Sequence, residues 1–87
     1  MKHFALPKFW ECYRDLPKHI QALADEKFEL LKINPRQPSL HFKKIGNQQQ
    51  LWSVRVSLHY RASGRNRIEG VVWFWIGSHA EYDRLLA

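Results

Sequence analysis

Leu51-Trp52-Ser53-Val54-Arg55-Val56-Ser57-Leu58-His59-Tyr60-Arg61 is the stretch on which the reading of this chain turns, because apolar and polar residues alternate along it without a break. A period of two is the mark of a β-strand, whose successive side chains leave opposite faces. Trp52, Val54, Val56, Leu58 and Tyr60 then share one face, and Ser53, Arg55, Ser57, His59 and Arg61 share the other. A strand of this kind covers a core with one side and offers the other to water or a ligand, as antiparallel sheets allow. The polar side sets two guanidiniums in line with an imidazole.

Downstream, Ser63-Gly64-Arg65-Asn66 has the composition of a turn. Residues 68–76 are apolar on both parities, which predicts a strand in the interior of the sheet with both faces partly covered. Upstream, residues 39–45 read as a third strand with His41 and Lys43 on one side, joined to the first by a polar loop of Gly46-Asn47 and Gln48 to Gln50. Lys2 to Leu6 could add a short edge strand to a small mixed sheet. Between these lie two helices. Pro7 and Pro17 stand where proline starts a helix well, since its missing N–H has no partner there anyway. The first helix, residues 7–15, carries Phe9, Trp10 and Tyr13, with Leu16 beyond, and the second, residues 18–33, carries Ile20, Leu23, Ala24, Phe28 and Leu31 on one stripe. Asn34-Pro35 ends it, and the short tie between the two predicts an antiparallel hairpin.

Composition limits what such a fold can do. The chain has 87 residues, 45% of them hydrophobic, with 12 aromatics, so it has material for one core and is read as one domain spanning residues 1–87. A multidomain enzyme is excluded. No apolar run approaches the roughly 18 residues of a membrane span, and Met1 to Pro7 is too short for a signal peptide. With Cys12 the only cysteine, a reducing cytoplasmic setting is expected. The five histidines lack the paired spacing of a zinc site, so neither a metal nor another cofactor is expected.

The net charge of +6 is unevenly spread. Residues 1–33 hold six bases against five acids, whereas residues 34–78 hold seven bases (Arg36, Lys43, Lys44, Arg55, Arg61, Arg65 and Arg67) against Glu69 alone. Concentrated positive charge implies a polyanionic partner: RNA, DNA or an acidic protein.

A second cluster closes the chain. Ser78 with Glu81 three residues later is a capping-box pattern that opens a last short helix, and His79 and Tyr82 share a face of it. Cleavage of an RNA backbone requires a group to take the 2′-hydroxyl proton, cations on the crowded phosphate, and an acid for the leaving oxygen. Arg55, Arg61, Lys43 or Lys44, His79 and Tyr82 supply those types.

Two helices, a basic hairpin with Trp52-Ser53-Val54-Arg55 and His59-Tyr60-Arg61, and the closing Gly77-Ser78-His79-Ala80-Glu81-Tyr82-Asp83 together resemble the RelE/ParE superfamily of type II toxin–antitoxin systems, with its RelE, YoeB and HigB-like branches. The resemblance implies an α+β fold of the microbial-RNase type: a helical hairpin packed on a small, mostly antiparallel sheet, with a short C-terminal helix. It implies a ribosome-dependent mRNA interferase that cuts mRNA in the ribosomal A site by metal-independent 2′-hydroxyl attack, with an acidic antitoxin as partner. By the same resemblance Arg61 contacts the scissile phosphate, Arg55 is a second basic position, and His79 and Tyr82 stand near the cut. Lys43 and Lys44 resemble the lysine before the hairpin, and with His59 and Arg65 they complete the expected RNA-binding set. The acidic residue that some members use as general base has no counterpart beside Lys44. The ParE-like branch has the same fold and acts on DNA gyrase by binding, and a basic domain that only binds nucleic acid is a third expectation.

Overall fold

The structure is a computed structural model that describes residues 1–45 and 50–86. The polar loop expected after Ile45 falls largely outside those residues. The elements run β1 (Lys2–Ala5), α1 (Pro7–Arg14), α2 (Lys18–Ile33), a single 3₁₀ turn (Pro38–Leu40), β2 (Lys43–Ile45), β3 (Leu51–Ser57), β4 (Tyr60–Arg67), β5 (Gly70–Ser78) and α3 (His79–Leu86). The strands form one sheet in the order β1-β5-β4-β3-β2, antiparallel throughout except where β1 pairs parallel to β5. The α+β class with a helical hairpin, a mostly antiparallel sheet and a terminal helix is as expected. Both helices of the hairpin lie within one residue of their predicted bounds, and β5 is interior to the sheet as its two-sided apolar pattern required.

Helices α1 and α2 pack on one face. Leu16, Ile20 and Leu31 from the hairpin meet Val54, Val56, Ala62, Val71, Trp73 and Ile76 from the sheet, with Leu40 of the 3₁₀ turn fully buried beside them. The Phe42 and Trp52 rings stack with their centres 4.2 Å apart, which closes this face on the β2 side. Burial of apolar area at about 25 cal/mol per Å² is the main stabilising contribution in such a layer.

Three strand expectations need correction. Residues 51–61 are two strands, β3 and β4, joined by Leu58-His59, with Arg55 paired to Arg61 and Ser57 to Tyr60. Alternation runs through a two-residue loop when the loop itself contains one apolar and one polar residue, and Leu58, 67% exposed, is apolar without facing the core. Second, Ser63-Gly64-Arg65-Asn66 lies inside β4, and the chain turns instead at Ile68-Glu69. Gly64 is there because a Cβ would come within 2.5 Å of Val71 Cγ1 and 3.0 Å of the Trp73 ring. Third, strand structure in residues 39–45 is confined to Lys43–Ile45, since Pro38–Leu40 makes a 3₁₀ turn and His41 adopts φ 46°, a left-handed conformation incompatible with a continuing strand. His41 therefore does not line up with Lys43.

Candidate functional site

The sheet face turned away from the helical hairpin holds the basic residues. Val54, Ala62 and Ile76 form one cross-strand row in the core, so the neighbouring residues Ser53, Ser63 and Trp75 form a row on the opposite face, and Arg55, Arg61 and Gly77 the next. Arg55 and Arg61 are direct partners across β3 and β4. The sequence placed them on one side by parity along a single strand; the hairpin places them there by register. Paired cross-strand residues have Cβ atoms about 5 Å apart, and like charges in that position are destabilising. Among the described residues the ion pairs are Lys32 with Glu29 and His79 with Asp83, so neither arginine has a carboxylate to neutralise it.

Helix α3 borders this row. Its first turn is capped by Ser78, whose Oγ accepts the Glu81 N–H at 3.2 Å while the hydroxyl donates to the Glu81 carboxylate at 3.1 Å, so the capping box read from sequence is formed in part. The His79 N–H donates to the His59 carbonyl oxygen at 2.6 Å, which ties the helix start to the β3–β4 turn. Tyr82 is 8% exposed and its ring lies 6.1 Å from that of Trp75. The Trp75 indole in turn covers Gly77, where a Cβ would fall 2.6 Å from its Cζ2. Tyr82 sits between the two candidate chemical groups: the Arg61 guanidinium is 5.8 Å from its ring centre on a cation–π contact, and the His79 ring is 6.1 Å away.

The remaining candidates divide. Lys43 pairs with Ser53 and so belongs to the same face as the arginines, whereas Lys44 pairs with Trp52 and lies over its ring at 5.4 Å, on the other face. Arg65 is exposed, falls on the basic face four residues along β4 from Arg61, and rests 5.3 Å over Phe74. His59 is exposed in the turn, next to His79 through its backbone. The site therefore gathers Arg55, Arg61, His79 and Tyr82, with Lys43, Arg65 and His59 at its margins and Lys44 apart. Asp83 is an addition: its Oδ2 lies 3.1 Å from His79 Nδ1. The spacing of four residues on a helix was the sequence signal for it.

A cavity of about 320 Å³ lies on the opposite side of the sheet, between it and the hairpin, lined by His3, Phe9, Trp10, Tyr13, Phe28 and Trp73 among others. Its walls are mostly apolar and it shares no lining residue with the basic row. Burial, followed by the positive charge of the N-terminus and Lys32, lowers the His3 pKa. Burial and a hydrogen bond to Asp25 raise that of Tyr13. Neither group belongs to the basic face.

The fold has close counterparts. A chain of the RelB–RelE antitoxin–toxin complex from Methanococcus jannaschii superposes with a TM-score of 0.75 at 13% identity, covering 97% of this chain and 99% of that one. The YoeB/ParE toxin from Agrobacterium tumefaciens gives 0.68 at 15% identity over 91% of this chain and 99% of its own. The isolated E. coli RelE toxin gives 0.65 at 14% identity over 98% and 97%. No curated protein matches the sequence. A family model, the ParE-like toxin domain, matches residues 18–84, which include the second helix, the whole basic hairpin and the start of the capped helix with His79 and Tyr82. The chain belongs to the ParE-like toxin domain family.

Proposed function

We propose that this protein is the toxin of a toxin–antitoxin pair and acts as a ribosome-dependent mRNA interferase. The observation that carries the reading is the Arg55–Arg61 cross-strand pair, uncompensated by acid among the described residues and bordered through Tyr82 by His79. Two facing guanidiniums cost stability in an empty sheet and are relieved by a bound anion. In cleavage, Arg61 and Arg55 hold and neutralise the scissile phosphate as charge builds on its oxygens, and Lys43 adds to the field. His79 moves the proton, and the buried Tyr82 ring positions Arg61. These side chains supply the positive charge themselves, so the cut needs no metal. Such an activity belongs in the cytoplasm, where the ribosomes are. A basic face that damages mRNA also calls for an acidic partner to cover it, and the RelB–RelE complexes from Methanococcus jannaschii and Pyrococcus horikoshii are toxins of this fold joined to antitoxins.

One observation favours a second reading: the matching family model is ParE-like, which fits a gyrase inhibitor acting by binding. Expression from an inducible promoter with mapping of mRNA ends separates the two. The interferase reading expects new 5′ ends within translated messages, and none when ribosomes are omitted in vitro. Intact mRNA with loss of DNA supercoiling would favour the gyrase reading, and intact mRNA with normal supercoiling a domain that only binds.

A further inference from the structure

The geometry points to Asp83 as a positioning residue, one that holds the His79 imidazole with its proton on Nδ1 and leaves Nε2 bare to take the proton of the RNA 2′-hydroxyl. This rests on the nuclease reading above and assigns the general base that the reading leaves open. His79 is the first residue of α3 and Asp83 stands one turn further along the same face. The 3.1 Å ion-pair contact sets Nδ1 beside a carboxylate oxygen, which can only accept, so the carboxylate favours the proton on Nδ1. A neutral imidazole has a single N–H, and with that proton on Nδ1 the other nitrogen is an acceptor. The residue's position is fixed at its backbone and bordered by an aromatic ring. Its own backbone N–H is bonded to His59, and the buried Tyr82 ring lies 6.1 Å away at 43°.

The step balances with water as the only co-reactant. The proton of the 2′-hydroxyl passes to Nε2, the 2′-oxygen bonds to phosphorus, and the bond from phosphorus to the 5′-oxygen breaks as that oxygen takes a proton from water. The imidazolium then returns its proton to the hydroxide so formed. The products are a 2′,3′-cyclic phosphate and a 5′-hydroxyl. While the ring is charged, the Asp83 carboxylate stabilises it from behind, the part a carboxylate plays in other histidine-based sites. No acid beside Lys44 is then needed.

The test uses the full-length protein with ¹⁵N-labelled histidine, free of RNA, and reads the His79 tautomer from its ring nitrogen shifts. The expected result is a protonated Nδ1 and an unprotonated Nε2 in the neutral ring, lost in Asp83→Ala and restored in Asp83→Glu. Asp83 is 63% exposed, so neither substitution threatens the fold. Cleavage of ribosome-bound mRNA should fall about 10-fold or more in Asp83→Ala, with substrate affinity kept and partial rescue by Asp83→Glu. A neutral ring protonated on Nε2 in the wild type overturns the proposal, as does an Asp83→Ala protein that cuts at the wild-type rate. Should the wild type have the expected tautomer and yet cut no mRNA, the nuclease reading fails, and Asp83 loses its role in chemistry with it.

Discussion

Arg61 touches two things that pull its energetics in opposite directions. Its guanidinium lies over Tyr82, a contact of about 0.5–1 kcal/mol when exposed, and it faces Arg55, a like charge directly opposite that destabilises the pair. Arg61→Ala removes both, so the unfolding midpoint should shift little while growth arrest on induction is relieved. Arrest by a normally expressed Arg61→Ala protein would remove the phosphate role. His79→Ala should lower cleavage by about 100-fold or more, which single-turnover measurements on ribosome-bound mRNA would register. Arg55 and Arg61 have the same parity in the sequence, but the register shift between Arg55 and Ser57 is what makes them partners, since the Ser57–Tyr60 register carried on would set Arg61 opposite the core residue Val56. The choice between Lys43 and Lys44 was not legible, since adjacent lysines have opposite parity and only the pairing of Lys44 with Trp52 decides it. Tyr82 was legible as a helix-face neighbour of His79, but its burial against Trp75 depends on where α3 lands.

The hairpin of β3 and β4 shows what a one-dimensional pattern leaves out. Leu58-His59 contains none of the Gly, Asn or Asp residues that announce a two-residue turn, and the strongest turn signal nearby, Ser63-Gly64-Arg65-Asn66, lies in mid-strand. Gly64 is required there by three dimensions: the Val71 methyl and the Trp73 ring occupy the space of its missing side chain. Gly64→Ala should therefore destabilise the protein by about 1–3 kcal/mol, as overpacking does, and denaturant unfolding would measure it. A midpoint equal to the wild type would mean that the sheet yields freely at this point. Helix α3 calls for a different outcome. Ser78→Ala removes the cap and should cost about 1 kcal/mol in the helix terminus. Because α3 holds His79 and Tyr82, cleavage should drop more than global stability does, with faster amide exchange in α3 than in β4.

At the scale of the whole molecule, one sheet separates two environments: an apolar layer under the hairpin and a basic face bordered by α3. The charge imbalance of residues 34–78 and the apolar stripes of both helices made that division legible, whereas the cavity and the parallel docking of β1 on β5 depend on long-range pairing that no local pattern encodes. The first and last thirds of the chain are tied by His3, whose Nδ1 accepts the Trp73 Nε1–H at 3.1 Å and whose ring stacks along the indole. That bond needs Nδ1 without a proton, so protonation must break it or turn the ring away. The His3 pKa is lowered in the folded protein from the ordinary 6.5, by burial first and then by the charges of the N-terminus and Lys32. Between the two values the unfolded chain binds more protons than the folded one, so stability rises with pH across that interval. The contribution is complete above about pH 6.5. It is lost as the pH falls through the folded value. Denaturant midpoints measured from pH 8 down to 5 should fall more steeply for the wild type than for His3→Gln, whose amide oxygen can still accept from Trp73 and does not titrate. Because the other four histidines are common to both proteins, the difference between the two curves isolates His3. Parallel curves would show that the imidazole turns out to solvent as it protonates and leaves β1 held by its ladder to β5 alone.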